Sequence, residues 1–457
     1  MRDRHGLLTA PISRVLLNMS LPNLLGMLTV LGFNLVDTFF ISQLGTLPLA
    51  AISFTFPMTL VVASIAIGIG AGVATQLGRL IGSGNASKAK LFLGDALLLT
   101  FSLTALLALL GYVFITPLFT LLGATPAALA LIHQYMLVWY LGSPLLVLLM
   151  VGNQGLRATG DTRSPAKIMA LAALINLVLD PLLIFGLGPF PRLAIQGAAI
   201  ASLISWVLAL SWSGYLLLFK RKLVTWGGCC IVRLKYNWQL LAHIARPATL
   251  TNLINPMFNA LMMAILARMD MNAVAAFGAG TRLESILLLG VMALSSSLVP
   301  FIAQNLGANQ PARAHQALML ALKFVLVFQT LLYLPIALLA DPIAHLFSTD
   351  ARVIEWLHLY IVLLPLAYGP LGVVIIVATS LNAYHKPMAS LVINLCRLFL
   401  LMLPMAWLGA ELFGVAGLLA ALPICNLLMG IGCYFLAQRL GVSSPSNPLT
   451  NSLNAER

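Results

Sequence analysis

The sequence predicts an all-α polytopic membrane protein of twelve spanning helices arranged as two six-helix bundles, on three observations. Of 457 residues, 61% are hydrophobic and only 8% are charged, whereas a soluble chain carries roughly a quarter charged residues. The apolar residues fall into twelve runs, each long enough for the ~20 residues that a spanning helix needs. The second half of the chain repeats the first at an offset of 225 residues.

The runs cover 15–43, 50–77, 93–117, 133–155, 166–187, 195–218, 240–266, 274–303, 317–340, 355–380, 388–408 and 413–437. Breaks containing Gly, Pro, Asn or charged residues separate them. The first run is too long for a signal-peptide core and lacks a small-residue cleavage site, so an uncleaved first helix is expected. The expected units are an N-terminus at 1–13, a first bundle at 14–218, a linker at 219–239, a second bundle at 240–438 and a polar, disordered tail at 439–457.

The repeat supports the two bundles. Pro22 matches Pro247, Leu49-Ala50-Ala51 matches Val274-Ala275-Ala276, and Gly82 matches Gly307. Ala89 matches Ala314, Tyr135 matches Tyr360 and Leu156 matches Leu381. Beyond that point the offset falls to about 220, where IQGAAIA answers GVAGLLA. Two halves of like orientation pack about an axis along the membrane normal, and the cleft between them suits alternating access.

Charge gives the orientation. Of the 25 Lys and Arg residues, 20 lie on one side of the predicted membrane and three, Arg192, Arg268 and Arg352, on the other, with Arg282 and Arg397 inside apolar runs. Basic loops mark the cytoplasmic side, so both termini are expected there, in a bacterial inner membrane. The net charge of +13 is thus spread over short loops as orientation signals and lipid contacts, and no nucleic-acid partner is expected. Five cysteines show neither disulfide nor metal spacing: Cys229 and Cys230 are adjacent, and Cys396, Cys425 and Cys433 lie in apolar runs. No GxxxxGK[ST] loop, HExxH or GxSxG occurs, which argues against an ATP motor and against two hydrolase classes.

An ionised side chain in hydrocarbon costs roughly 3 kcal/mol or more, so acids deep in the spans are candidate functional residues. Of the twelve Asp and Glu residues, three qualify: Asp37, Asp180 and Glu284. Asp37 sits in LGFNLVDTFF with Asn34 three residues earlier, and Asp180 in LINLVLDPLL with Asn176 four residues earlier. Those spacings put each acid and amide on one helix face. Position 37 corresponds in the repeat to Met262, so the fold does not demand an acid there. Burial disfavours the ionised form of a carboxyl, and a second carboxyl nearby adds to the effect. Such a pair can load and release a proton or hold a small hard cation. The competing reading is a pair of hydrogen-bonded structural acids.

Glu284 lies two residues from Arg282, off its face, and an ion pair or interfacial position is expected; Arg397 needs a partner or a wet cavity. Pro22 lies fifteen residues before Asp37 on the same helix, and the backbone donor it removes makes it a candidate hinge. Pro144 and Pro181 are further kink positions. Asn153, Gln154, Tyr140 and Ser202 are polar groups that can line a substrate cavity, with Ser205 beside them, and Met257 is a candidate adaptable apolar wall alongside Phe33, Phe54 and Met58. Each has an ordinary alternative, a helix-joining polar contact or lipid-facing packing.

Taken together, the proline and Asn-x-x-Asp of the first span, IGSGNASKA after the second, LRATGDTRSP after the fourth, NLVLDP in the fifth and their echoes in the second half resemble the multidrug and toxic compound extrusion (MATE) family. The acids of spans one and five resemble its DNA-damage-inducible F (DinF) branch. The resemblance covers about residues 14–438. It implies N- and C-lobe bundles in a V shape, and efflux of small organic, often cationic, drugs against protons or sodium, without a cofactor or enzymatic step, by a chain expected to be a monomer in the lipid bilayer. It places the branch's key acids on Asp37 and Asp180 and its amides on Asn176 and Asn153. The branch also uses a hydroxyl from span six; here that place reads GAAIAS, with Ala198 and then Ser202 one turn later. That departure, and the absence of deep acids in spans seven and ten, favour protons over sodium at Asp37, Asn176 and Asp180. The alternatives are a sodium-coupled drug antiporter and a flippase for lipid-linked precursors of the same superfamily. An intramembrane aspartyl protease is disfavoured, because neither FNLVDT nor LVLDPL gives a GxGD context.

Overall fold

The computed structural model describes residues 6–225 and 231–440. Residues 1–5, Cys229 and Cys230, and the polar tail beyond 440 lie outside the described residues. In the first half the helices are α1 (Ile12–Ser42), α2 (Thr46–Gly82), α3 (Ala86–Val113), α4 (Ile115–Leu121), α5 (Pro126–Ala158), α6 (Arg163–Phe185) and α7 (Ala194–Tyr215). In the second half they are α8 (Ile231–Ala267), α9 (Met271–Leu287), α10 (Leu289–Gly307), α11 (Pro311–Leu338), α12 (Ala340–Phe347), α13 (Ala351–Leu363), α14 (Tyr368–Ala383), α15 (Pro387–Leu395) and α16 (Leu403–Leu440). A π-helical turn, Leu216–Lys220, extends α7, and another, Cys396–Met402, joins α15 to α16. The described chain contains no strand, as expected where lipid leaves the backbone only its own helix to bond to.

Eleven of these segments are long and apolar enough to cross a membrane, and the last of them runs 54 residues from Pro387 to Leu440. At 1.5 Å per residue that is about 80 Å, far more than the ~30 Å of a bilayer core. It turns at Gly414, whose φ of 64° and ψ of −150° are not helical, and the two arms touch where a Cβ on Gly409 would meet the Gly417 backbone. The described residues therefore supply twelve crossings. Two expected single spans are interrupted. Run 274–303 breaks at Leu288, between α9 and α10, and run 355–380 passes through a 3-10 turn at Pro365–Ala367, where the proline withholds a backbone donor. The helix α8 starts at Ile231, inside the stretch read as a linker.

The sequence repeat is also a backbone repeat. The bend after α3 at Phe114 (φ −100°, ψ 16°) recurs after α11 at Leu339 (φ −99°, ψ 16°). Left-handed turns at Gly84 (φ 77°) and Gly160 (φ 90°) recur at Asn309 (φ 61°) and His385 (φ 58°), Asn and His being among the few non-glycine residues that accept that region.

Two apolar cores form, and the first helix of each half is shared between them. Leu7, Val15, Leu16 and Met19 at the start of the chain pack into the second core, while Ile41 at the end of α1 belongs to the first. Conversely, Leu241 and Ala245 of α8 pack into the first core, and Ile254, Phe258, Met262 and Leu266 into the second. Asn23 on α1 donates to the hydroxyls of Ser296 (3.1 Å) and Ser297 (2.9 Å) on α10.

The lobes meet where α2 and α10 end. A Cβ on Gly82 would overlap the Gln304 backbone, and one on Gly307 would overlap the Arg79 backbone. Around this contact Arg79 donates to the carbonyl of Ala383 (2.9 Å) and Gln304 donates to that of Ala158 (2.5 Å). Residues 304 and 383 stand 225 beyond 79 and 158, so the two bonds are counterparts under the repeat.

Candidate functional site

The distal part of α1 and the end of α6 bring the two N-lobe acids together. Phe40 and Phe185 meet edge to face at 6.2 Å between ring centroids, locking the last turn of α1 against that of α6. Asp180 lies five residues before the end of α6, wholly buried, and Asn176, one turn earlier, is equally enclosed. Asp37 on α1 is half-buried and within electrostatic reach of Asp180. Neither carboxyl oxygen of Asp180 has a hydrogen-bond partner among the described residues, and the same holds for Asp37 Oδ1 and Asn176 Oδ1. Four acceptor oxygens thus lie in this region, and among the described residues only the Asn176 amide, which also donates to Ser202, acts as a donor toward the Asp180 carboxyl.

Ser202 closes the set. It is buried on α7, one turn beyond Ala198, and accepts from the Asn176 amide at 3.3 Å. Tyr135 on α5, also buried, stands within electrostatic reach of both acids. In sequence Tyr135 stands out only as the counterpart of Tyr360 and as a tyrosine deep in an apolar span. Asn34 lies outside the described side chains.

Other candidates stand apart. Asn153 is buried on α5 but faces Ser213 (3.5 Å) and the Met169 sulfur (3.6 Å). Gln154 packs against Gly70, and Tyr140 lies under Gly111 with its hydroxyl unpartnered. Met257 is 60% exposed on α8, far along the chain from the acids. Pro22 sits beside Asn23, at the point where α1 is tied to α10.

The C-lobe holds a second polar cluster. Glu284 does not pair with Arg282; it accepts hydrogen bonds from Tyr360 (3.0 Å) and Tyr368 (3.3 Å). Arg397, on the π-helical turn, is buried and donates to the amide oxygens of Asn426 (3.2 Å) and Asn255 (3.1 Å).

Two loop groups outside the spans carry clear electrostatics. Burial works against the charge of Asp161, but the backbone and hydroxyl of Ser164 (3.0 and 2.8 Å) and the Arg221 guanidinium (2.5 Å) outweigh it and hold its carboxyl below the ordinary range. Burial, and then the nearby Arg79 and His243, push the His385 imidazole down to about 3. His385 approaches Gln76 of the other lobe at 3.5 Å.

Known proteins carry the same architecture. A family model described as MatE matches residues 22–182 and 247–408, once in each half. The chain is 71% identical over 440 residues to a protein of Shewanella oneidensis named FAD transporter, covering 96% of this chain and 97% of that one. It is 24% identical to the multidrug export protein MepA of Staphylococcus aureus, over 95% and 96% of the two chains. Among solved structures, the Vibrio cholerae MATE transporter VcmN in its bent form superposes with a TM-score of 0.90 at 33% identity, covering 94% of this chain and 97% of that one.

Proposed function

The chain belongs to the MATE family of multi-pass membrane transporters, and from that premise we propose that it is a proton-driven exporter whose cargo is FAD. It is a secondary transporter and not an enzyme. The observation that carries the coupling is Asp180, wholly buried with no charged partner and only the Asn176 amide acting on its carboxyl, beside a second acid on a different helix. An uncompensated charge there costs several kcal/mol, and a proton removes the cost. Loading it would let α1 and α6 approach, and unloading it would drive them apart or draw in water. Because α1 is anchored in the other lobe through Asn23, a shift at Asp37 is transmitted to the inter-lobe contact.

The cargo reading rests on 71% identity across nearly the whole chain. The drug-export names of more distant relatives support a second reading, amphipathic organic compounds, which the exposed Phe39, Phe56 and Met257 would accommodate. The Lys and Arg count supports an orientation in a bacterial inner membrane with both termini in the cytoplasm, which would set the Gly82–Gln304 contact on that side and turn the cleft outward.

The test is FAD movement in proteoliposomes under imposed pH or sodium gradients, with wild type, Asp37→Asn and Asp180→Asn. Transport that follows the pH gradient and falls at least tenfold in each variant is expected. Transport that follows only a sodium gradient would make the four acceptor oxygens a cation site instead. Undiminished transport in both variants would remove the acids from the mechanism.

A further inference from the structure

We propose that Arg397 is an anion subsite of the transport cleft, taking the pyrophosphate of a dinucleotide cargo; the assignment rests on the FAD reading above. Arg397 is 7% exposed, in the core of the second lobe. A guanidinium keeps its charge even when buried, and buried charges are paired or coordinated. Here the pairing is incomplete. Among the described residues no carboxylate lies within ion-pair distance of Arg397. Its two side-chain acceptors are the neutral amides of Asn255 and Asn426, and its Nε has no partner at all. Glu284 acts on it only through longer-range electrostatics, and that carboxyl is bonded to Tyr360 and Tyr368.

Access to Arg397 runs through Asn255. That residue is exposed, as is Asn259, and Asn252 is half-buried. The three fall at i, i+3 and i+7 and make one polar face of α8. The Asn252 amide is satisfied by the Ala248 carbonyl (2.8 Å), but the exposed amides of Asn255 and Asn259 would lack partners for their donors in hydrocarbon, which favours a watery cleft over lipid for this face. Arg397 therefore stands just behind a polar wall whose middle member it already grips. An anionic oxygen in place of the Asn255 amide would turn a charge–dipole contact into a charge–charge one. The fork of the guanidinium matches two phosphate oxygens. The backbone supports this placement: Arg397 sits in a π-helical turn, a distortion of the ladder that recurs at functional sites.

The test is equilibrium binding of FAD, FMN and riboflavin to the purified protein in nanodiscs. Riboflavin has the ring without phosphate, so it separates ring recognition from anion recognition. Arg397→Gln should weaken FAD at least tenfold and leave riboflavin within twofold, and Arg397→Lys should lie between. Asn255→Asp, at an exposed position, supplies a carboxylate to Arg397 and should likewise weaken FAD while sparing riboflavin. Should Arg397→Gln lose its melting transition, Asn255→Asp decides. Wild-type FAD affinity in Asn255→Asp, or in an Arg397→Gln protein with the wild-type melting temperature, overturns the subsite and leaves the cargo reading intact. A wild-type protein that does not bind FAD overturns both.

Discussion

The paired bonds across the lobe contact set how firmly the protein holds the arrangement described here, and their removal gives a measurable shift. Arg79 contributes a charged donor to Ala383 and Gln304 a neutral one to Ala158. Net contributions of about 1.5–3 and 0.5–1.5 kcal/mol are usual for such bonds. Loss of both therefore favours parted lobes by about 2–4.5 kcal/mol, roughly 30- to 2000-fold in the ratio of parted to joined protein at 1.4 kcal/mol per tenfold. Ala303 reports that ratio, since it is wholly enclosed and a Cβ on Gly78 would come within 2.9 Å of its own. In a protein freed of Cys229, Cys230, Cys396, Cys425 and Cys433, Ala303→Cys reacts with a water-soluble maleimide only when the lobes part. The Arg79→Gln, Gln304→Ala double variant should label at least 30 times faster than its parent, with each single variant between. Equal labelling rates in all four proteins would refute the claim that these bonds hold the lobes together.

The same label follows pH. His385 is held near 3 in the joined state against an ordinary 6.5, so its contribution is complete above pH 6.5 and declines as pH falls toward 3. At pH 5.5 the loss is about 1.4 kcal/mol, and labelling relative to a free-thiol control should rise about tenfold from pH 7.5, a rise that His385→Gln abolishes. For Asp161, whose carboxyl is depressed below 3.8, the contribution is present above that value and lost as pH falls through the folded value. Arg221→Gln, which leaves a carboxylate that is 5% exposed without its charged partner, should cost about 1–2 kcal/mol at pH 7. The gap in melting temperature between this variant and wild type, measured in detergent, should narrow as pH falls below 3.8.

The helices and the repeat were legible because both are one-dimensional signals: hydropathy marks depth, and a constant offset marks duplication. Asp37 and Asp180 were legible because acids are rare where water is absent. What stayed hidden depends on which helix faces which. An apolar stretch looks the same whether it continues or breaks, so Leu288 gave no sign of separating α9 from α10. Asn176 was legible beside Asp180 because one helical turn separates them, whereas only packing shows that Asn153 faces Ser213 and Met169 rather than the acids. Tyr135 comes within electrostatic reach of both acids only through the packing of α5 in the first lobe, which no local pattern encodes. Glu284 and Arg397 each read as needing a partner, and the partners found, Tyr360, Tyr368, Asn255 and Asn426, sit on other helices at separations no local pattern encodes.

The reciprocal placement of α1 and α8 bears on how such a chain assembles and how it arose. Each half lends its leading segment to its neighbour, so neither owns a finished interior. Severed between the halves, the pieces would have to be made together in one membrane to recover activity. Two separate half-length chains that traded their opening helices would make the same contacts, as swapped dimers do. Joining such a pair end to end yields this polypeptide with no rearrangement of its interior.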